Sequence, residues 1–283
     1  MTQKFKYTFL AALSWAIAII IARFIYIGGG NAYNVAFWTT IFSVPFWGIV
    51  FLKQKEAAKK ITRYDLTILL GMGLISTVGI GITEALALRY SQAINYSFLI
   101  RTVILFTFLF AYIFLGEKLT LKKIVLAIVI LFGSYLLIAQ GQKLVFSAGD
   151  IFTLIEAALI ALGNTVLGKM AVKRMSPNLS AAAAYLIGVI PLSLIALFNH
   201  AVYWPKSIAL IILLAGAYIV LTLFRFRAYQ YASAAYLTMM YSLTPVFVSL
   251  MAMTLLKETM TPIQLLGGGL IVLAGIAVEK LKI

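Results

Sequence analysis

The chain has 283 residues, of which 63% are hydrophobic and only 11% are charged. A soluble domain uses about 25% charged residues to cover its surface, whereas the mean hydropathy here is +1.04. Soluble enzymes, nucleic-acid modules and disordered binders are therefore excluded, and the net charge of +15 reflects short basic clusters between apolar segments, as in membrane proteins.

Apolar segments long enough to cross a bilayer fill almost the whole chain. A hydrocarbon core about 30 Å thick requires roughly 20 apolar residues per helix. Ten segments meet this requirement: 7–27, 33–52, 66–89, 93–115, 121–139, 150–171, 179–199, 207–227, 233–256 and 261–279. We expect an all-α integral membrane protein with ten transmembrane helices. We also expect the first segment to be retained, because it is longer than the apolar part of a typical signal peptide.

The distribution of basic residues predicts the orientation. If the N-terminus is cytoplasmic, most of the 23 Lys and Arg residues fall in connections on the inner side. The positive-inside rule then places both termini in the cytoplasm and the Gln140–Gly149 linker outside. We expect a multi-pass protein of the plasma membrane.

An internal repeat divides the sequence into two halves. Glu117 follows the fourth segment and Glu258 the ninth, and a shift of 141 residues relates them. The same shift aligns three residues of the first half with three of the second: Ala87, Tyr90 and Ala93 with Ala228, Tyr231 and Ala234. Each half holds five helices, an odd number, so the second half is inverted relative to the first. We therefore predict two inverted repeats, residues 1–140 and 141–283, around a central cavity.

Motifs in both halves carry a family resemblance. The second half has Ala234-Ala235-Tyr236-Leu237, Thr244-Pro245, Leu255-Leu256-Lys257-Glu258-Thr259 and then Gly267 and Gly275. The first half has Phe114-Leu115-Gly116-Glu117-Lys118-Leu119-Thr120 and Gly133. It lacks the proline, because Ile104 occupies the position that corresponds to Pro245. The chain resembles the EamA-type family of the drug/metabolite transporter superfamily. This resemblance implies ten helices, cytoplasmic termini, a central cavity and alternating access without ATP hydrolysis.

Several of these motif residues have a structural interpretation. Glu117 and Glu258 are expected to cap helix ends and to fix the turn into the next helix. The glycines of the third and tenth segments are expected to allow close helix packing; they are Gly71, Gly73, Gly79, Gly81, Gly267, Gly268, Gly269 and Gly275. Pro245 opens a gap in the backbone hydrogen bonds of the ninth segment, which predicts either a gating hinge or a static bend.

Charged residues inside the membrane are costly and therefore point to function. Glu84, Arg101 and Glu156 lie about 7–12 Å below the outer ends of their predicted helices and so share the outer half of the membrane. We expect Arg101 and Glu156 to pair across an empty cavity, as a substrate site or as a structural bridge. The shift of 141 also relates Trp15 to Glu156 and Glu84 to Arg225, which suggests that the last two line the outer and inner mouths of one pathway. The candidate substrate-binding residues are Arg101, Glu156, Glu84 and Trp15, and the candidate gating or pathway residues are Arg225 and Pro245.

The predicted function is secondary active export of a small polar or zwitterionic metabolite, such as an amino acid, by alternating access. A nucleotide-sugar or small organic-cation carrier of the same fold and a passive channel are the alternatives. With no cysteine and one histidine, His200, the chain has little with which to build an enzyme or a metal site. We therefore expect no catalysis and no cofactor. The expected partners are the lipid bilayer, the substrate and protons carried by Glu84 or Glu156, in a monomer or homodimer.

Overall fold

The computed structural model describes residues 2–90, 96, 98–139, 147–255 and 260–281, and within these ranges all regular structure is helical. The predicted all-α membrane architecture is confirmed at this level. Glu258, Ala93 and most of the Gln140–Gly149 linker lie outside the described residues. The α-helices are α1 (Gln3–Ile27), α2 (Ala32–Lys53), α3 (Lys55–Ala58), α4 (Arg63–Gly73), α5 (Ile80–Tyr90), α6 (Val103–Leu115), α7 (Leu121–Ala139), α8 (Ala148–Leu159), α9 (Gly168–Arg174), α10 (Pro177–Phe198), α11 (Ile208–Tyr231), α12 (Ala234–Tyr241), α13 (Thr244–Leu255) and α14 (Pro262–Lys280).

Eight helical stretches of the described chain are long and apolar enough to cross a membrane. They are Gln3–Ile27, Tyr33–Lys53, Leu121–Ile138, Ala148–Arg174, Pro177–Phe198, Ile208–Tyr231, Ala234–Leu255 and Pro262–Lys280. Each matches a segment predicted from hydropathy to within a few residues. The two other predicted segments correspond to the helical stretch from α4 to α5 and to a shorter apolar helix, Ile100–Leu115.

Helix starts are fixed by polar side chains at the ends of apolar segments. At six starts, a side-chain oxygen accepts a hydrogen bond from the backbone N–H three residues later, which satisfies a group that the helix leaves free. These capping residues are Thr2, Asn31, Thr62, Ser176, Ser233 and Thr261. Pro177 and Pro262 occupy first turns, where the missing N–H has no cost.

Two spans contain a π-helical stretch in place of regular α-helix. Leu74–Gly79 joins α4 to α5, and Ile160–Leu167 joins α8 to α9. The two stretches contact each other, since a Cβ on Gly163 would lie 2.8 Å from Ile75 Cγ2 and 3.0 Å from Ser76 Oγ. π-helical turns are rare and frequent at functional sites, so this contact marks a region of interest.

The helix predicted over 233–256 is interrupted rather than kinked. α12 ends at Tyr241, the Ser242–Leu243 turn follows, and α13 begins at Thr244. Pro245 therefore lies in the first turn of α13 and does not remove a bond from a continuous helix, contrary to the prediction. The 141-residue shift places this turn on the 3₁₀ turn Ile100–Thr102, which immediately precedes α6.

The strongest helix pairings follow the internal repeat. α1 packs along α11, and α8 packs along α5. The shift of 141 residues relates α1 to α8, and it relates α11 to α4 and α5. The contact of α1 with α11 therefore corresponds to the contact of α8 with α5. The pairs α2 with α10 and α7 with α14 likewise map onto themselves. Helix packing in the two halves is therefore equivalent.

Close glycine packing is found at five of the predicted positions, Gly71, Gly73, Gly79, Gly267 and Gly275, and it is tightest at Gly267 and Gly73. A Cβ on Gly267 would lie 2.5 Å from both the Gly133 oxygen and the Leu137 nitrogen, so α14 meets α7 backbone to backbone. A Cβ on Gly73 would lie 2.6 Å from Ile187 Cγ2. Gly269 faces open space, with no atom within 4 Å of its Cβ position among the described residues, and has no such role.

Both ends of the described chain lie on one side of the helix bundle. The Thr2 hydroxyl donates a hydrogen bond to Glu279 Oε1 at 2.8 Å. The Tyr7 ring on α1 stacks on Tyr231 at the end of α11, with ring centroids 5.7 Å apart. We call this the terminal side. The other end of α1, near Tyr26, defines the opposite side, where Asn34 donates to the Tyr203 carbonyl at 2.7 Å.

Candidate functional site

A cavity of about 660 Å³ lies between helices of both halves of the chain. Its volume falls in the range of roughly 300–1,000 Å³ that is usual for small-molecule sites. Two charged residues line it, Glu84 and Arg225. The other polar lining groups are hydroxyls and one amide, from Tyr26, Tyr33, Thr39, Thr40, Ser76, Asn164, Tyr185, Tyr218, Thr222 and Tyr229.

Glu84 and Arg225 occupy opposite ends of this cavity. Glu84 is exposed to the cavity space and lies within electrostatic range of Tyr26 on the opposite side. Arg225 lies six residues before Tyr231, so it is about 9 Å from the terminal-side end of α11. Tyr218 also lines the cavity and lies seven residues before Arg225, about 10 Å from it along α11.

Neither charge is neutralised by another described side chain. Among the described residues, Lys59 pairs with Glu56 and Arg174 with Asp65 within 4.0 Å, and neither ion pair involves Glu84 or Arg225. Arg225 Nη2 approaches Thr222 Oγ1 at 3.4 Å, and its Nε is buried with no hydrogen-bond partner. A guanidinium with an unused buried donor is a site for an anion, because guanidinium groups bind carboxylates in bidentate fashion.

The cavity lining extends from the opposite side towards the terminal side. Gly30, between α1 and α2, and Tyr33, in the first turn of α2, line it on the opposite side. Its floor is Tyr229, whose hydroxyl donates a hydrogen bond to the Asn164 carbonyl in the second π-helical stretch. The Tyr229 ring lies directly on Gly168, where a Cβ would be 2.6 Å from ring atom Cε2.

Polar contacts below the floor hold the terminal side together. Lys169 Nζ donates to the carbonyls of Tyr229, at 3.3 Å, and of Ala232. A positive group at this C-terminal end of α11 is favourable, because the last carbonyls of a helix are unsatisfied. The Arg174 guanidinium forms an ion pair with Asp65, which also completes the capping box of α4.

Glu117 caps a helix, but not the helix that the sequence predicted. Its carboxylate accepts hydrogen bonds from the backbone N–H groups of Ala234, at 2.7 Å, and Ala235, at 3.3 Å. The capped helix is α12 in the second half, not the next helix, α7. The reason is spatial: α6 packs against α12, so the end of α6 meets the start of α12.

The family profile of the EamA-like transporters matches residues 5–139 and again residues 148–278. The chain belongs to the EamA-like transporter family. A crystal structure of another protein superposes with a TM-score of 0.78 and covers 100% of this chain and 99% of its own, at 17% identity. This likeness shows a common fold. No curated protein sequence matches the chain.

The predicted pair of Arg101 and Glu156 is absent from this EamA-like protein. No ion pair within 4.0 Å joins these two described residues, and neither lines the 660 Å³ cavity. Glu156 Oε1 instead accepts a hydrogen bond from the Tyr96 hydroxyl at 3.0 Å. Arg101 lies in a 3₁₀ turn and not in a regular α-helix, so its direction differs from the one that helical periodicity predicts. Its Nε is buried without a partner.

Trp15 and Pro245 also lie away from the cavity lining. The Trp15 ring meets the Tyr241 ring edge-on, with centroids 6.1 Å apart, where α1 passes the interruption between α12 and α13. The hydroxyl of Tyr241 is buried and has no hydrogen-bond partner. The structure thus brings Glu84 and Arg225 into one cavity and places the four other candidates outside it.

Sequence reasoning missed the polar residues on the π-helical stretches and the tyrosines of the cavity. Ser76 and Asn164 face the cavity from the two π-helical stretches, and Ser76 Oγ is buried without a partner. In the sequence, neighbouring glycines such as Gly79 and Gly163 predict close helix packing. They do not predict a π turn, which contains one extra residue. Tyr96, which binds Glu156, lies only five residues before Arg101 and gave no signal of its own.

Proposed function

We propose that this EamA-like protein is a secondary active transporter that exports a small polar or zwitterionic metabolite, with amino acids as the first candidates. The observation that carries the proposal is the cavity between the halves, which holds an unneutralised guanidinium at one end and a carboxylate at the other. Such a site binds a molecule with both a negative and a positive group, because each charge is costly in the membrane until it is paired.

The proposed topology has ten transmembrane helices in two inverted halves, residues 1–140 and 141–283. The stretch from α4 to α5 and the helix Ile100–Leu115 complete the count beyond the eight long spans. Two observations support it: the termini share one side, as an even number of crossings requires, and the helix pairings exchange under the repeat. We propose that the terminal side is cytoplasmic and that the protein resides in the plasma membrane.

In this topology the cavity opens to the outside, and transport requires the floor to open. Inward opening must separate Tyr229 from Asn164 and release the polar contacts below them. Alternating access then consists of exchanging this closed floor for an equivalent closure near Gly30 and Tyr33.

The two charges act in sequence along the pathway. Arg225 on α11 and Glu84 on α5 line different parts of the cavity, so the substrate meets them one after the other. We propose that Arg225 binds the substrate carboxylate deep in the cavity. Glu84 then meets the ammonium group as the substrate passes the outer mouth, in keeping with the two-mouth hypothesis.

The experiment is counterflow in proteoliposomes loaded with unlabelled amino acids and supplied with a radiolabelled amino-acid mixture. We expect saturable, transient accumulation, which a passive channel does not produce. Arg225→Gln is expected to abolish it, while Arg227→Gln, two residues along the same helix and outside the cavity lining, is the matched control. Absence of counterflow for every amino acid, together with flux of a nucleotide sugar, would overturn the substrate class.

A small organic cation is the second candidate, and the open half of the cavity favours it. Glu84 and the rings of Tyr26, Tyr33 and Tyr218 line this half, and aromatic faces attract cations. A cation substrate needs Glu84 but not Arg225. Loss of transport in Glu84→Gln with full transport in Arg225→Gln would therefore select this candidate.

A further inference from the structure

A buried carboxyl group lies beside the cavity and takes no part in lining it. Glu156 lies eight residues into α8, about 12 Å from the start of that helix, and is 2% exposed. Its Oε1 accepts the hydrogen bond from Tyr96, and its Oε2 is buried with no hydrogen-bond partner at all. The proposed transport mechanism leaves this group without a role.

None of the described charged side chains around Glu156 forms an ion pair with it. α5 contributes Glu84, Tyr90 and Arg89, the last with a side chain outside the described part of the structure; the 3₁₀ turn contributes Arg101, and α6 contributes the exposed Tyr112. The π-helical stretches contribute no titratable side chain, and Asp150 lies at the start of α8 itself. No described Lys or Arg nitrogen lies within 4.0 Å of the Glu156 carboxyl oxygens. Burial acts most strongly on the Glu156 carboxyl group, and the charge of Glu84 acts in the same direction.

An ionised Glu156 would be an unpaired charge inside the membrane, close to a second carboxylate. Burial of such a charge costs far more than burial of a neutral carboxyl group whose carbonyl oxygen is hydrogen-bonded. The geometry matches the neutral form, in which Oε1 accepts from Tyr96 and Oε2 carries the proton.

We propose that Glu156 is a proton-binding site outside the substrate cavity and that its proton exchanges for substrate during transport. The inference rests on the proposed transport function and names the coupling ion. The link between the two sites is Glu84, which lines the cavity and interacts with both Glu156 and Tyr96.

The direction of coupling follows from the charges. While Glu84 is ionised, its negative charge favours the neutral form of Glu156 and retains the proton. A substrate ammonium group beside Glu84 cancels that charge and so lowers the cost of ionising Glu156, which favours transfer of the Oε2 proton to water. Because such linkage is reciprocal, protonation of Glu156 in turn favours release of the ammonium group. Substrate and proton therefore move in opposite directions.

The first test observes the proton directly and needs no substrate. Infrared spectra of the purified protein, recorded between acid and alkaline pH, report the carbonyl stretch of protonated carboxyl groups. We expect a band that persists at neutral pH in the unmodified protein and is lost in Glu156→Gln. Tyr96→Phe should shift its frequency by removing the hydrogen bond to Oε1. Glu56→Gln, at an exposed position, is the control that keeps the band. Identical neutral-pH spectra for Glu156→Gln and the unmodified protein would overturn the proposal.

The second test separates coupling from transport itself. In proteoliposomes with the radiolabelled amino-acid mixture, Glu156→Gln is expected to retain counterflow at equal pH but to lose accumulation driven by an imposed pH gradient. Gradient-driven accumulation in Glu156→Gln as strong as in the unmodified protein would overturn the proton site. If the unmodified protein transports no amino acid, the proposed function fails, while the infrared band still decides whether Glu156 binds a proton.

Discussion

Glu117, in the turn after α6, caps the first residue of α12, Ala234, which lies 117 residues further along the chain. The hydrogen bond therefore joins the two halves of the protein and not two neighbouring helices. A carboxylate at a helix start satisfies free N–H groups and faces the positive end of the helix dipole. Fixing α12 in this way also fixes the end of α11, from which only two residues separate it.

Removal of this cap is expected to destabilise the protein. Glu117→Ala should lower the free energy of unfolding by about 1 kcal/mol, as loss of other helix caps does. The measurement is the thermal melting temperature of the detergent-solubilised protein. Lys118→Ala, at the next and exposed residue, should leave the melting temperature unchanged; an equal fall in both variants would contradict the cross-half cap.

Close packing of α7 on α14 predicts a sharp difference between two glycines of one helix. Gly267→Ala forces a methyl group to within 2.5 Å of backbone atoms on α7, so the helices must separate. We expect a loss of about 1–3 kcal/mol, typical of overpacking. Gly269→Ala faces open space and should be neutral or slightly stabilising, because alanine favours helix. Melting temperatures of the two variants in one detergent decide the matter.

The floor of the cavity should open when Tyr229 is displaced. Gly168→Ala places a methyl group 2.6 Å from the Tyr229 ring and should break the hydrogen bond to Asn164. A single cysteine at Thr222, within the cavity, should then react faster with a membrane-impermeant thiol reagent applied to the terminal side of oriented vesicles. Gly216→Ala, where the Cβ meets nothing within 4 Å, serves as the control. Unchanged labelling in Gly168→Ala would show that Tyr229 does not close the floor.

Orientation can be tested cleanly because the chain has no cysteine. A cysteine replacing Trp204, exposed on the opposite side, should react with an impermeant reagent in intact cells. A cysteine replacing Lys118, on the terminal side, should react only after the membrane is permeabilised. The reverse pattern would invert the proposed topology and turn the open cavity towards the cytoplasm.

Hydropathy predicted the helices of this protein well because the bilayer demands continuous apolar segments whatever their contacts. The segment 121–139 is α7 to the residue, and capping residues such as Thr62 and Thr261 mark true helix starts. The EamA-type assignment from the motif residues is likewise confirmed. Hydropathy, capping residues and motif residues depend only on neighbouring positions in the chain, so they can be recognised from the sequence alone.

Side-chain directions could not be predicted equally well. A π turn inserts one extra residue, which rotates everything beyond it by about 100° relative to a regular helix. Arg101 sits in a 3₁₀ turn, and α8 runs into a π-helical stretch soon after Glu156. The pair of Arg101 and Glu156 was predicted only from the similar depth of the two residues in the membrane, and this pair does not form. The repeat, which does not depend on helical phase, relates Glu84 to Arg225, and both line the cavity; their roles at its two mouths stay a prediction.

Only two residues, Ala232 and Ser233, connect α11 to α12, and hydrogen bonds hold both ends of this connection. Lys169 donates to the Ala232 carbonyl, and Glu117 accepts from the Ala234 N–H. Surface loops ordinarily accept inserted tags or reporter domains. An insertion here would uncap two helices at once, so a fluorescent or affinity tag is better placed in the exposed turn of Lys59 and Lys60.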